Sequence, residues 1–232
     1  VSWDEKAIPN YRKVADAIHR HGSKVFVQLL HQGKAVNTHD SNLPLWSASA
    51  TLGSALGSAR KELAHAMSKE EIQEVIAWFV QGALNMKRAG MDGIEIHGAH
   101  GYLVQDFLSP LTNYRNDEYG GNQRKRTRFA LELVRSIREA VGHDFAVGIR
   151  LSADEFTPGG LTLKETTKVA QWLEESGDLD FLNITHSNTD PLSFAMQQAD
   201  MSWPQAPFIH LPNEIKNATK GISVFAVCRI ID

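Results

Sequence analysis

The sequence predicts an α/β protein whose strands run parallel and curl into a barrel, and three observations carry that prediction. Helical and strand patterns alternate along the chain with no hairpin signal between them, so right-handed βα units and a parallel sheet follow. The stretch Gly93 to Gly121, GIEIHGAHGYLVQDFLSPLTNYRNDEYGG, opens as a short β-branched run and continues into a long loop punctuated by Pro110, Asn113, Gly120 and Gly121. Strand alternation sends Glu95 and His97 of that run to one face and Ile94 and Ile96 to the other. A sandwich core rarely tolerates such a polar face. The inward face of a parallel barrel does turn polar at its C-terminal end, where the βα loops hold the chemistry.

The elements follow in order. Residues 9 to 21 read as a helix: Pro9 suits the first helical position, Tyr11, Val14, Ala15 and Ile18 recur at helical spacing, and Gly22 closes it. Lys24 to Leu30 is a buried strand with Gln28, His31 and Gly33 at its end. Residues 34 to 67 are rich in Ser, Ala, Gly and Asn without a sustained period, and such a length argues for a functional βα loop rather than a linker. Ser68 and Glu71 form a capping box for a helix striped by Ile72, Val75, Ile76, Phe79, Val80 and Ala83, which Gly90 ends just before the strand at Gly93. A helix over 125 to 140 carries Phe129, Leu133, Val134 and Ile137 and stops near Gly142; the strand Ala146 to Leu151 follows and places Arg150 near its end. Thr162 and Glu165 make a second capping box, opening a helix with Val169, Trp172 and Leu173 that Gly177 closes before the strand Phe181 to Thr185. A Pro-rich connection leads to a short helix near Asn213 to Thr219 and a fifth strand, Ser223 to Val227.

Composition narrows the function classes. The chain has 232 residues, 42% apolar and 22% charged, which suffices for a sizeable core, and its net charge of -3 offers no basic footprint for nucleic acid or an anionic membrane. Cys228 is the only cysteine, so neither an internal disulfide nor a zinc or iron-sulfur ligand set can be built from cysteine, and a reducing compartment fits. No apolar run approaches the roughly 20 residues of a membrane span, and the amino terminus lacks a charged-then-apolar signal segment. The expectation is a soluble, cytoplasmic protein acting on a small molecule, with a homo-oligomer left open. Gln28, His97 and Arg150 stand near the ends of three consecutive strands; pointing inward at one level with Asn183 from a fourth, they would converge on one pocket. Arg150 has a second reading, a salt bridge with Glu95 inside the barrel. His97 and His100 lie three apart across a strand end and loop, where both imidazoles can reach one substrate oxygen. A zinc pair would need a third ligand, and none has motif-like spacing, so no metal is expected.

HGAHGYL at 97–103, FLSP at 107–110, NxRxDxYGG at 113–121 and RxRF at 126–129 resemble the flavin-dependent old yellow enzyme family, which includes dienoyl-CoA reductases and trimethylamine dehydrogenases. The resemblance runs over essentially the whole chain and implies a (β/α)8 TIM barrel. Five strands do not close eight. Set against the family, residues 1–232 read as a single, partial flavin-binding barrel domain covering about strands 3 to 7, without the first two strands or the last helix and strand. The alternative, a complete five-stranded doubly wound domain, would leave two apolar edges needing cover.

The resemblance further implies FMN as cofactor and NAD(P)H as electron donor. Gln28 matches the glutamine of the family's QLxHxG motif that contacts the flavin pyrimidine edge. Arg150 matches the arginine near N1, where a guanidinium stabilises the charge gained on reduction. Positions matching His97 and His100 hold the ligand's carbonyl or anionic group, and Tyr102 matches the tyrosine that protonates the α-carbon, as a phenol with a pKa of about 10 can. Arg229 matches the arginine of a Gly-Arg pair that binds the flavin phosphate, but Cys228 stands where the glycine would let backbone approach phosphate closely. At 122–126, NQRKR replaces the usual SxxNR, with Lys125 in the place of asparagine. Arg124, Arg126 and Arg128 read as a solvated helix face with one buried structural arginine rather than an anion site. Trp78 and Trp172 fall on helices as packing residues, while Trp46 and Trp203 lie in loops. Trp203 belongs to the loop 186–212, which shapes the substrate pocket in the amine-oxidising branch. The tracts ADEFTPGGL and DFLNIT look closer to that branch, or to demethylase-like members, than to plain ene-reductases. The expected activity is ping-pong: NAD(P)H reduces FMN, and hydride then passes to an activated C=C bond of an enone or enoyl type. The alternatives are N-methyl amine dehydrogenation or demethylation and, in another class, an inactive fragment unable to retain flavin alone.

Overall fold

The alternating pattern becomes five strands of one parallel sheet. In the computed structural model, which describes residues 1–36, 44–53 and 62–231, the elements are α1 (Ile8–His19), β1 (Phe26–Leu29), β2 (Trp46–Ser47), β3 (His65–Ala66), α2 (Lys69–Arg88), β4 (Gly93–Gly98), α3 (Leu103–Leu108), α4 (Gln123–Arg126), α5 (Arg128–Val141), β5 (Ala146–Ser152), α6 (Leu163–Ser176), β6 (Phe181–Thr185), α7 (Pro191–Met196), α8 (His210–Ala218) and β7 (Ser223–Ala226). The sheet order is β1-β4-β5-β6-β7 with every neighbouring pair parallel, and β2 and β3 form a separate parallel pair. Parts of the predicted 34–67 loop, at 37–43 and 54–61, lie outside the described residues.

Local chemistry accounts for the element starts. The Ser68 hydroxyl accepts from the Glu71 amide at 3.2 Å while the Glu71 carboxylate accepts from the Ser68 amide at 2.7 Å, and Thr162 with Glu165 repeats the arrangement. Each reciprocal pair satisfies two amides that a helix start leaves without partners. The helix expected over 125 to 140 is divided. Asn122 caps α4 by accepting from the Lys125 amide at 2.9 Å, and Thr127, whose hydroxyl donates back to the Gln123 carbonyl, separates α4 from α5. Two short helices, α3 and α7, occupy stretches read from sequence as loop. All six residues of α3 are buried, Gln105 and Asp106 included, so no helical period marks it.

The sheet has two unlike faces. Ile94, Ile96, Val147, Ile149, Leu151, Leu182 and Ile184 are essentially fully buried in the apolar core, each contributing about 1.5–3 kcal/mol. The other face carries Phe26, Gln28, Glu95, His97, Arg150, Asn183 and Phe225. Across it Phe181 stacks on Phe26 at 5.5 Å and on Phe225 at 4.9 Å between ring centroids. Phe181 lies over Gly148, where a Cβ would sit 2.1 Å from the ring, so the absence of a side chain at 148 admits the aromatic layer. Among the described residues no helix is long and apolar enough to cross a membrane.

Candidate active site

Strand register decides which predicted residues meet. His97 pairs with Arg150 and Arg150 with Asn183, so these three do share one level. Gln28 does not: it pairs with Glu95, two residues nearer the start of β4, which corrects the expectation of one common level. Its amide donates to Glu95 Oε1 at 2.6 Å, and Asn183 donates to Glu95 Oε2 at 2.7 Å. The Glu95 carboxylate therefore bridges two neighbours, and the salt bridge with Arg150 that the sequence allowed is not formed. The Arg150 guanidinium has no hydrogen bond or ion pair among the described residues, and its Nε is buried, as is the unpartnered Oδ1 of Asn183. Burial pulls the Arg150 pKa below its ordinary value, with Glu95 and Cys228 acting in the opposite sense.

Beyond the end of β4 the chain turns sharply through His100 and Gly101, both left-handed at φ of 60° and 74°. The turn brings together the three residues expected to act on substrate. The His97 ring meets the edges of His100 at 5.1 Å and Tyr102 at 4.9 Å between centroids. His97 Nδ1 accepts from the Ala99 amide at 3.2 Å; because an amide only donates, the proton of the neutral ring resides on Nε2. His100 Nε2 lies 3.1 Å from the Thr185 hydroxyl, leaving Nδ1 without a partner among the described residues. Burial, reinforced by Arg150, lowers the His97 pKa to about 4. Burial, then the His97, Arg150 and His186 charges, lower that of His100 to about 2. Both rings are thus neutral at pH 7, and the Arg150 charge reinforces burial in keeping them so. The Tyr102 hydroxyl makes no hydrogen bond among the described residues.

At the end of β7, Cys228 and Arg229 are again left-handed, at φ of 82° and 51°. This is the backbone a glycine would adopt freely, so the Cys228 substitution keeps the shape of the turn under strain. Arg229 Nε is buried without a partner among the described residues. Elsewhere, Arg126 is the buried structural arginine, donating to the Leu108 carbonyl at 2.9 Å and approaching Glu165 at 3.5 Å, while Arg124 covers the Trp172 ring. Trp78 packs in a parallel stack with His31 and Trp46, and Trp203 packs on Phe208. Sequence reasoning missed Glu95 as the partner of Gln28 and Asn183, and Thr185 as the partner of His100. The alternation that put Glu95 on the face of His97 was the only signal for the first.

Residues 1–203 match the NADH:flavin oxidoreductase / NADH oxidase family. The chain belongs to this family. It is 43% identical to the NADH oxidase of Thermoanaerobacter brockii over 75% of its own length and 26% of that protein. It is 36% identical to the N,N-dimethylglycine/sarcosine dehydrogenase of Chromohalobacter salexigens over 92% of its length and 30% of the relative. The solved complex of 2-naphthoyl-CoA reductase with 2-naphthoyl-CoA superimposes with a TM-score of 0.85 at 27% identity, covering 96% of this chain and 35% of that one. The chain thus spans about a third or less of the length of each.

Proposed function

We propose that these residues form the substrate side of an FMN-dependent NAD(P)H oxidoreductase that reduces an activated C=C bond. The supporting observation is the cluster of two neutral imidazoles beside a phenol whose hydroxyl makes no hydrogen bond among the described residues. The residues present fit FMN: Arg150 Nε, Arg229 Nε and Asn183 Oδ1 are buried polar atoms without partners among the described residues, the groups that a heteroaromatic ring and a phosphate would satisfy. Arg150 would sit by the ring, Arg229 by the phosphate, and Gln28 would reach the pyrimidine edge from its bond to Glu95. Bound there, FMN supplies the hydride that NAD(P)H provides.

The remaining work falls to the chain's own side chains. The Nε2–H of His97 donates to the substrate carbonyl oxygen, and His100 offers Nδ1 to the same oxygen with its other nitrogen on Thr185. Two neutral donors polarise a carbonyl without holding a counter-charge that would bind product as tightly as the transition state. Tyr102 then gives its proton to the α-carbon. The likeness to a dimethylglycine/sarcosine dehydrogenase favours a second reading, oxidation of an N-methyl amine. Against it stand the two buried neutral rings beside Arg150, which serve a cationic amine poorly. Tyr102→Phe tests the proposal: alkene reduction should fall about 10²–10⁴-fold while bleaching of bound flavin by NAD(P)H is unchanged. Unaltered alkene turnover in Y102F would refute the assignment, and formaldehyde release from a methylated amine would establish the second reading. A visible spectrum of the purified 232-residue chain after removal of excess FMN shows whether it retains the cofactor by itself.

A further inference from the structure

Behind the His100 turn lies a buried polar chain to which the proposed chemistry assigns no role. Gln105 and Glu155 are 1% and 2% exposed. The Gly101 amide donates to Gln105 Oε1 at 2.8 Å, which orients the side-chain amide so that Nε2 faces the other way. There it donates to Glu155 Oε1 at 2.6 Å and reaches the Ser187 carbonyl at 3.5 Å. Glu155 is itself anchored: Oε2 accepts from the Ser109 hydroxyl and the Leu161 amide, both at 2.8 Å, and a Cβ on Gly160 would lie 2.3 Å from that oxygen. A second arm holds the preceding residue. The His100 amide donates to the Ser152 hydroxyl at 3.2 Å, and that hydroxyl donates to the Ser187 carbonyl at 2.6 Å. Both arms converge on Ser187, and between them they clamp a histidine and a glycine in left-handed conformations.

We infer that Gln105 and Glu155 are positioning residues for the His100 imidazole, acting through the Gly101 backbone. A non-glycine residue persists in the left-handed region only where its surroundings over-determine it. Freed from the clamp, His100 relaxes and its ring leaves Thr185. Lys34 from the 33–35 turn, Asp106 from α3 and Arg126 from α4 are the charged groups acting around Glu155, with Lys34 paired to Asp106 at 3.1 Å. The inference rests on the reading of His100 as a ligand-holding group, but its geometry can be tested without any ligand.

The test compares Gln105→Glu and Gln105→Met with the unaltered chain by site-resolved amide hydrogen exchange, expressed as protection factors across pH. In Q105E two carboxylates face each other and can satisfy Gly101 together only by sharing a proton. The Gly101 protection factor should therefore be near normal at low pH and fall at least about ten-fold as that proton leaves, while Q105M lacks protection at every pH. The amides of Val147 to Leu151 in β5 should be unchanged in both. Turnover of Q105E should fall about a hundred-fold in step with Gly101, the effect of a misplaced catalytic group. Equal Gly101 protection in all three proteins, loss of β5 protection in parallel, or failure of both variants to fold would overturn the inference. The expected exchange pattern without turnover of any alkene by the unaltered protein would instead overturn the proposed function.

Discussion

Replacing His97 by Asn tests the electrostatic state of the site. The residue is 6% exposed, and its pKa is lowered from 6.5 to about 4, so the folded chain keeps the ring neutral while the unfolded chain takes a proton. The sign follows: between about 4 and 6.5 the unfolded state binds more protons, so stability contributed by neutral His97 is complete above the ordinary pKa and is lost as pH falls. At about 1.4 kcal/mol per pH unit, the loss between pH 7 and 4 is about 3 kcal/mol. Asn can present a carbonyl to the Ala99 amide where His97 presents Nδ1, but it does not titrate. Urea unfolding followed across this range should show the unaltered chain losing about 3 kcal/mol more than H97N. The lowered pKa values of His31 and His186 bend both profiles alike and cancel in the difference, whereas His97 also helps hold the His100 pKa down, so its removal acts on His100 in the same direction. Parallel profiles would refute the claim that the imidazole is held neutral, and with it the assignment of His97 as an uncharged donor.

Arg150→Met keeps the side chain's apolar stem and removes a half-buried guanidinium whose buried Nε has no partner among the described residues, so stability to heat should hold or rise by about 1 kcal/mol while FMN retention, read from the visible spectrum, falls. Cys228→Gly relieves the left-handed backbone at φ 82° and should raise stability in thermal unfolding by about 1 kcal/mol; an unchanged or lower midpoint would show that the turn is not strained. Gly148→Ala places a methyl 2.1 Å from the Phe181 ring and should destabilise the chain by about 1–3 kcal/mol. Adding Phe181→Leu should recover part of that loss, and additive effects would argue against the contact.

The sequence by itself determined what depends on neighbours along the chain. The two capping boxes, the strand cores and the polar side of the Gly93 strand are local matters of hydrogen bonding and alternation, whereas the common level of His97, Arg150 and Asn183 comes from the register of β4, β5 and β6. Period had nothing to say about α3, which is buried on every side, or about the backbone at His100, whose left-handed φ is sustained by Ser152, Gln105 and Glu155 from distant parts of the chain. Tertiary structure alone decided the level of Gln28. Moving a parallel strand by two residues keeps every side chain on the same face, so alternation is blind to that step, and only the pairing of β1 with β4 put Gln28 opposite Glu95 rather than His97. For the same reason Arg150 lost the carboxylate that the sequence offered it: Glu95 is already held from both sides, by Gln28 and Asn183.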